Sequence, residues 1–233
     1  MKDDVLLAAL SEVGFAPTAE QAERFKTYHA LLCAWNERVN LTAVTDDAGV
    51  AQKHFADSLL ALPYLRGGAR VLDLGTGAGF PGVPLLIAKP DIQLTLMDSV
   101  QKKLDFLAEL LPKLGLKAEI VHSRAEDAAK KPAYRDGFDA VCSRAVAPMN
   151  VLLELALPFV KPGGAAVCFK GPALKDELAV SDRALRELCG KLSEIREFAL
   201  PWGDRRLAIV QKTAPTPQKY PRQAGKASKS PLC

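Results

Sequence analysis

From residue 70 onward the chain alternates short apolar runs, bounded by glycine or proline, with amphipathic segments of helical spacing. This alternation is typical of β-α-β units, in which consecutive strands pair in parallel and helices cover the sheet. Two late runs, 195–200 and 206–210, flank a Pro-Trp-Gly-Asp turn and predict an antiparallel hairpin at one edge. We therefore expect an α/β fold with a mostly parallel seven-stranded sheet. The other five strands are predicted at 71–74, 94–97, 118–121, 140–142 and 165–169.

The segments on either side of this core differ from it in pattern. Residues 1–66 have helical spacing, with a capping-box signature at Thr18 and Gln21 and a third helix expected around 52–62. Because their apolar stripes need a surface to bury against, we expect an N-terminal helical extension packed on a core domain of residues 67–212. A further helix is predicted from about Lys175 to Cys189. Residues 213–233 are rich in Pro, Lys and Ser and are expected to form an extended arm.

The formal net charge of +4 comes from the C-terminal end of the chain. Residues 212–233 contain five bases and no acids, which leaves 26 bases against 27 acids in the rest. Such a tail is either a solvated end or an arm that binds phosphates. Both interpretations stay open at this point.

Composition also bears on the compartment. No run approaches the ~18–20 apolar residues of a membrane span, and the N-terminus carries acids where a signal peptide carries bases. The five cysteines show no metal-ligand spacing and are expected to be reduced thiols, without a zinc site. We expect a cytoplasmic monomer that uses no metal and no membrane.

The segment VLDLGTGAGFPGVPLLIAKP, residues 71–90, holds the main functional motif. A buried strand leads into a turn with Gly75, Gly77 and Gly79, which have no Cβ atoms, and Pro81 can start the next helix. A cofactor can lie on the backbone amides of such a turn. Nicotinamide, flavin and nucleotide sites all use glycine-rich turns, so the neighbouring residues must decide between them.

Asp73, just before the glycines, favours S-adenosylmethionine (SAM) as the cofactor. The ammonium and sulfonium groups of SAM suit a nearby carboxylate, whereas the pyrophosphate of a dinucleotide does not. The alternative is that Asp73 only caps the turn. Asp98 ends the second strand, 23 residues after Gly75, where a carboxylate can accept ribose hydroxyls. Ala125 and Glu126 follow the third strand, where an adenine edge would lie.

Other chemistries find less support in the sequence. No Gly-Lys-Ser/Thr follows the glycine turn, which excludes a P-loop, and the three histidines lie in no hydrolase or metalloprotease pattern. For His54 a structural role is favoured over a catalytic one. The competing functions are a small-molecule methyltransferase, a nicotinamide oxidoreductase and an RNA-binding module without activity.

With these residues in place, the chain resembles the bacterial small-subunit rRNA guanine-N7 methyltransferases, the RsmG or GidB family, which have a Rossmann-like class I methyltransferase fold. The likeness covers nearly the whole chain, and the glycine turn alone would indicate only a class I methyltransferase. The segments that carry it are WNERVNLTAVTD (35–46), HFADSLL (54–60), LDLGTGAGFPGVPL (72–85), MDSVQKKLDFL (97–107), SRAED (123–127), SRAVAP (143–148), FKGP (169–172) and KYPRQAGKASKSPL (219–232).

The resemblance implies methylation of guanine N7 in the 530 loop of 16S rRNA, on the RNA or on the small ribosomal subunit. It also implies cofactor contacts at the mouth and floor of the site. The predicted cofactor-binding residues are Gly75, Gly77, Phe80, Asp98, Ala125, Glu126 and Arg144. Arg144 is also a candidate RNA contact and a candidate catalytic residue, and the other predicted RNA contacts are Lys170, Tyr220 and Arg222.

The residues after the fourth strand agree with N7 as the target. N7 of guanine has a free in-plane lone pair, so its methylation needs in-line alignment but no strong base. Adenine-N6 methyltransferases have an Asn/Asp-Pro-Pro-Tyr/Phe turn where this chain has Ser143-Arg144-Ala145-Val146. Cytosine-C5 chemistry needs a cysteine nucleophile, but Cys142 lies within an apolar strand, where a buried, inert thiol is expected.

Overall fold

The computed structural model describes residues 1–233 and contains one seven-stranded sheet in the order β3-β2-β1-β4-β5-β7-β6. β1 to β5 pair in parallel, and β7 is antiparallel to both β5 and β6. The predicted α/β class, strand number and edge hairpin are confirmed. The strands are β1 (Arg70–Leu74), β2 (Gln93–Asp98), β3 (Glu119–His122), β4 (Phe138–Arg144), β5 (Val160–Lys170), β6 (Gly190–Phe198) and β7 (Arg205–Lys212).

Helices cover both faces of this sheet, and none is long and apolar enough to cross a membrane. A π-helix runs over Val50–Ala56, and single 3-10 turns lie at Leu62–Tyr64 and Leu157–Phe159. The α-helices are α1 (Asp3–Glu12), α2 (Ala19–Asn36), α3 (Asp47–Gly49), α4 (Asp57–Leu59), α5 (Gly82–Ala88), α6 (Gln101–Lys113), α7 (Ala125–Ala128), α8 (Met149–Ala156), α9 (Leu174–Ala179), α10 (Asp182–Glu187) and α11 (Lys226–Lys229).

The two faces of the sheet support two apolar clusters. In the larger cluster, Leu6, Phe25 and Phe55 of the N-terminal helices pack with side chains of α5, α6 and the sheet. The smaller cluster joins α8 and α10 to the opposite face and includes Leu232 near the C-terminus. The N-terminal helices therefore share one continuous core with the sheet, and the end of the chain belongs to the other core.

Two helix predictions need correction. The third N-terminal helix begins at Asp47 rather than near Gln52, and its middle is π-helical. The helix expected over 175–189 is two helices, α9 and α10, separated at Val180 and Ser181. The Ser181 hydroxyl donates to the Glu177 carbonyl at 2.7 Å, and such side-chain bonds compete with helical backbone bonds.

The C-terminal segment 213–233 is also unlike the expected extended arm. It contains the short helix α11, which packs against α8 and is followed by residues 230–233. Thr216, Tyr220, Ala227 and Leu232 are buried. We call this segment the C-terminal strap. It packs against the domain because it carries its own apolar anchors between its polar residues.

Candidate functional site

The carboxyl ends of β1, β2, β4 and β5 open onto two neighbouring cavities. The smaller, about 240 Å³, is lined by Gly75, Asp98 and residues 123–126. The larger, about 530 Å³, is lined by Arg144 and Lys170 at the ends of β4 and β5. Ligands of open α/β sheets bind at this edge, so the two cavities form one candidate site with two compartments.

The turn after β1 forms the floor of the smaller cavity. Gly75 and Gly77 have φ values of +71° and +58°, which L-residues rarely adopt. The amide of Gly75 donates to the Met97 carbonyl at 2.9 Å, and that of Gly77 donates to Asp98 Oδ2 at 2.9 Å. The turn is therefore held against the end of β2. The glycine turn and Asp98, both predicted to belong to the site, lie side by side.

Asp73 is fully buried beneath this turn. Its Oδ2 accepts from Thr76 Oγ1 at 2.6 Å and from the Gly82 amide at 2.8 Å, so the carboxylate does cap the turn. Its Oδ1, however, is buried without any hydrogen-bond partner. Burial raises the pKa of this carboxyl to about 6. A buried acceptor without a partner is costly, so Oδ1 can still accept a hydrogen bond from a donor that reaches it.

Asp98 is the second buried carboxylate of the site. Its Oδ1 accepts from the Val100 amide at 2.9 Å, while Oδ2 binds Gly77. A carboxylate has about four acceptor positions, so both oxygens can accept further hydrogen bonds from ribose hydroxyls. Ala125 lines the same cavity, and Glu126 Oε1 accepts from the Gly225 amide of the C-terminal strap at 2.9 Å.

Arg144 lines the larger cavity rather than the smaller one. Its Nη1 donates to the Lys53 carbonyl at 2.9 Å, and its Nη2 lies 3.3 Å from His54 Nδ1. The guanidinium carbon lies 5.0 Å from the centroid of the Phe80 ring. Phe80 is buried, and the Tyr28 ring stacks on it with centroids 5.2 Å apart. Phe80 thus supports Arg144 and joins it to the N-terminal helices.

His54 was expected to be structural, and its contacts define how it acts. His54 Nδ1 lies 3.3 Å from Arg144 Nη2 and 3.1 Å from the Lys53 carbonyl, and Nε2 lies 2.8 Å from Thr42 Oγ1. Burial, with the Arg144 charge as a second cause, lowers the pKa of His54 to about 4. Neutral His54 therefore orients Arg144. The sequence favoured a structural role for His54, but the link to Arg144 was not visible in it.

Lys170, a predicted RNA contact, lines the larger cavity, and its charge is already engaged. Its Nζ donates to the Ala147 carbonyl at 2.6 Å and to Glu177 Oε2 at 2.7 Å. The same Glu177 oxygen accepts from the Met149 amide at 2.8 Å. Lys170 and Glu177 therefore hold the loop between β4 and α8.

Tyr220 and Arg222 line neither cavity, and the proposal that they contact RNA stays a prediction. The Tyr220 side chain is buried, and its hydroxyl donates to Glu187. Arg222 binds both carboxylate oxygens of the buried Glu154, with Nη2 at 2.5 Å from Oε2 and Nε at 2.8 Å from Oε1. Both side chains are held by the domain itself, because the C-terminal strap is docked rather than extended.

Cys142 bears on whether the site could use a cysteine nucleophile. Cys142 is fully buried in β4, and this burial raises the pKa of its thiol well above the usual value. A thiol in that state is not a nucleophile. No cluster of His, Cys, Asp or Glu side chains is arranged to hold a metal ion.

Solved structures share this fold. A methyltransferase from Pyrococcus furiosus is 16% identical with a TM-score of 0.55, covering 82% of this chain and 99% of that one. A SAM-dependent methyltransferase from Aquifex aeolicus is 20% identical with a TM-score of 0.52, covering 71% of this chain and 93% of that one. At these identities the likeness concerns the fold alone.

Sequence comparison is more specific. The family model GidB, described as rRNA small subunit methyltransferase G, matches residues 21–207. Proteins named ribosomal RNA small subunit methyltransferase G match over almost the full length. The one from Alkaliphilus metalliredigens is 43% identical and covers 98% of both chains. The one from Leuconostoc mesenteroides is 45% identical and covers 100% of both. The chain therefore belongs to the GidB family of rRNA small subunit methyltransferases.

Proposed function

We propose that this chain transfers the methyl group of SAM to N7 of a guanine in the 530 loop of 16S rRNA. Family membership supports an rRNA of the small subunit as the substrate. The observation that carries the cofactor assignment is the cavity of about 240 Å³ at the ends of β1 and β2, lined by Gly75 and Asp98, with the partnerless Oδ1 of Asp73 buried at the end of the same strand β1. That the chain acts as a monomer stays a prediction.

The residues of the smaller cavity fit SAM. Asp98 offers acceptors for the ribose hydroxyls, and Ala125 with Glu126 faces the adenine end. Asp73 does not line the cavity, but its buried Oδ1 has no partner and is the acceptor we assign to the ammonium group. Gly75 and Gly77 leave room for close approach along the turn. When bound, SAM supplies an electrophilic methyl group on a sulfonium.

The larger cavity is suited to hold a guanine without activating it. Of its three acids, Asp57 is held by Arg205 and Trp202, and Glu177 is held by Lys170. Both oxygens of Asp57 accept hydrogen bonds, whereas Glu177 Oε1 and the side chain of the third acid, the exposed Asp204, accept none; attack by N7 needs neither of them as a base. The Arg144 guanidinium, fixed by Lys53 and His54, offers donors to the O6 edge of guanine or to a phosphate. These residues position the nucleophile, and alignment is what attack by N7 requires.

Two other methylation targets fit this site less well. Exocyclic amines are met in adenine-N6 enzymes by an Asn/Asp-Pro-Pro-Tyr/Phe turn, and this chain has Arg144 and Val146 in that place. Cytosine C5 needs a thiolate, and the Cys142 thiol is buried with a raised pKa. Both observations support a ring nitrogen with a free lone pair.

The test is methyl transfer to small subunits that lack the modification. Purified protein is incubated with methyl-labelled SAM and either these subunits or naked 16S rRNA, and the label is mapped by digestion and mass spectrometry. We expect 7-methylguanosine at one position in the 530 loop. Label on another base or atom, or no label in either substrate while small molecules are methylated, would refute the proposal.

A further inference from the structure

The C-terminal strap is anchored to the domain by buried polar contacts. Lys212, just before it, is 1% exposed, and its ammonium contacts Asp136, Thr216 and two backbone carbonyls within 3.2 Å. Arg135 donates to the carbonyls of Thr216, Pro217 and Tyr220. Buried charges that are fully hydrogen-bonded fix a segment in one position. The strap is thus built to be docked.

A second anchor leads the strap to the site. Arg222 forms a bidentate pair with Glu154, whose side chain is 1% exposed, and the Arg222 amide donates to the same carboxylate at 2.9 Å. Three residues later Gly225, with φ +78°, donates its amide to Glu126 Oε1 at 2.9 Å. Gly225 and Ser228 then line the 240 Å³ cavity together with Asp98 and Ala125.

We infer that the C-terminal strap forms the outer wall of the adenosyl pocket, with Gly225 and Ser228 facing the bound cofactor and the bond from Gly225 to Glu126 holding the wall in place. This inference rests on the proposed function, because it takes the smaller cavity as the pocket for SAM. On this inference, most of the basic residues of the strap hold it against the domain.

The charge pattern of the strap supports this assignment. Of the five bases that the sequence suggested for RNA, Lys212 pairs with Asp136, Lys219 with Glu187 and Arg222 with Glu154. Only Lys226 and Lys229, in α11, are exposed without an ion pair. A segment that served only to bind phosphates would not pair these charges with acids of its own domain, although Lys219 itself is largely exposed.

Cysteine labelling tests the wall directly. Ser228→Cys places a thiol in the pocket wall, and Ser230→Cys places one on the same exposed stretch but outside the cavity. Each variant is treated with a maleimide with and without S-adenosylhomocysteine (SAH), and the rate at each thiol is read by peptide mass spectrometry. The native Cys189 serves as an internal reference. With SAH well above its Kd we expect the rate at position 228 to fall about tenfold or more, with position 230 unchanged.

The outcomes separate this inference from the proposed function. Calorimetry of the unmodified protein with SAH comes first, and a failure to bind would reject the proposed function and the inference together. If SAH binds but fails to protect the thiol at position 228, or protects both thiols equally, the strap is not the wall and the proposed function stands.

A glycine pair provides a second measurement. Gly225 and Gly14 have similar φ values, +78° and +72°, and neither has an atom within 4 Å of an added Cβ. Gly225→Ala and Gly14→Ala therefore introduce similar backbone strain at different places. We expect Gly225→Ala to weaken SAH binding by roughly fivefold or more, because the left-handed conformation disfavours an L-residue, and Gly14→Ala to leave it unchanged. Equal SAH affinities in the two variants would overturn the inference.

Discussion

Val146, in the loop after β4, lies directly against Gly75 of the glycine turn: a Cβ built on Gly75 would approach Val146 Cγ2 to 2.5 Å. Val146 lines both cavities, and the preceding Ala145 has a φ of +57° although it is not glycine. Backbone held in a sparsely populated conformation is often found at functional sites. Val146 therefore marks the boundary between the proposed cofactor and guanine compartments.

The first prediction concerns this contact. Gly75→Ala combines backbone strain with the clash on Val146, whereas Gly77→Ala, with its nearest atom 4.0 Å from the added Cβ, introduces only the strain. We expect Gly75→Ala to weaken SAH binding by about tenfold more than Gly77→Ala, since a forced overlap costs typically 1–3 kcal/mol. Adding Val146→Ala to Gly75→Ala should restore part of the affinity measured by calorimetry. No recovery in the double variant would show that the contact is not the cause.

The second prediction concerns Arg144. Arg144→Lys keeps the charge but loses the planar fork that reaches both Lys53 and His54. We expect kcat/KM for the small subunit to fall roughly 10- to 100-fold, the range for losing a charged hydrogen bond. The Kd for SAH should stay within about threefold of the original, since Arg144 lines the other cavity.

Arg196→Lys is the matched control for this change. The Arg196 guanidinium also lies over a phenylalanine ring, that of Phe198, but it is on the outer strand β6. Its substitution should leave both constants unchanged. A large loss of SAH affinity in Arg144→Lys, with normal rRNA affinity, would instead assign Arg144 to the cofactor.

The third prediction is a pH dependence of SAH binding. The pKa of Asp73 is raised to about 6, so the carboxyl is protonated below that pH and ionised above it. Only the ionised form pairs with the ammonium of SAH. Affinity should therefore be full above pH 7 and should fall below about pH 6, by up to about tenfold per pH unit. Calorimetry between pH 5 and pH 8 measures this directly.

Asp73→Asn should remove this dependence and weaken binding at pH 7.5, because the amide keeps the capping acceptor without the charge. Asp139→Asn is the control, since Asp139 pairs with Lys161 at the amino-terminal edge of the sheet. It should bind SAH with the original pH profile. An unchanged profile in Asp73→Asn would rule out Asp73 as the titrating group.

The fourth prediction concerns the salt dependence of rRNA binding. Because only Lys226 and Lys229 of the C-terminal strap are unpaired, the double variant Lys226→Gln/Lys229→Gln should reduce the slope of log K against log salt by no more than about 1.4, at roughly 0.7 per phosphate contact. The control variant Lys117→Gln/Lys191→Gln removes two exposed lysines near the first residues of β3 and β6, away from the strand ends that form the cavities. It should not change the slope. A reduction clearly above 1.4 would contradict the assignment of at most two phosphate contacts to Lys226 and Lys229.

Much of the fold followed from local pattern. The apolar runs and the glycine turn predicted the sheet, because a buried parallel strand must be apolar and a tight turn must lack Cβ atoms. Strand ends were missed by up to five residues, as at β5, which begins at Val160 rather than Ala165. Its first residues, Lys161 to Gly163, are exposed and polar or small, so no apolar pattern marks them.

The candidate site was predicted unevenly. Asp73, Gly75 and Asp98 follow strands whose ends meet at one edge of the sheet, so their proximity was implied by the strand pattern. The strand pattern did not predict the neighbours of Arg144. His54 contacts Arg144, and Tyr28 stacks on the Phe80 ring beneath it, and both come from helices far away in the chain. The unpaired Oδ1 of Asp73 also has no sequence signal, since it depends on which neighbours fill the space.

The sequence by itself determined the layered α/β architecture, the glycine turn with its carboxylates and the family, because these depend on residue types at short spacing. Only the tertiary structure decided where the C-terminal segment lies and which of its bases are paired. Its five bases look alike in the sequence, yet three of them pair with Asp136, Glu187 and Glu154. Whether a charge faces solvent or a buried partner depends on contacts between residues distant in the chain, and local pattern carries no information about those contacts.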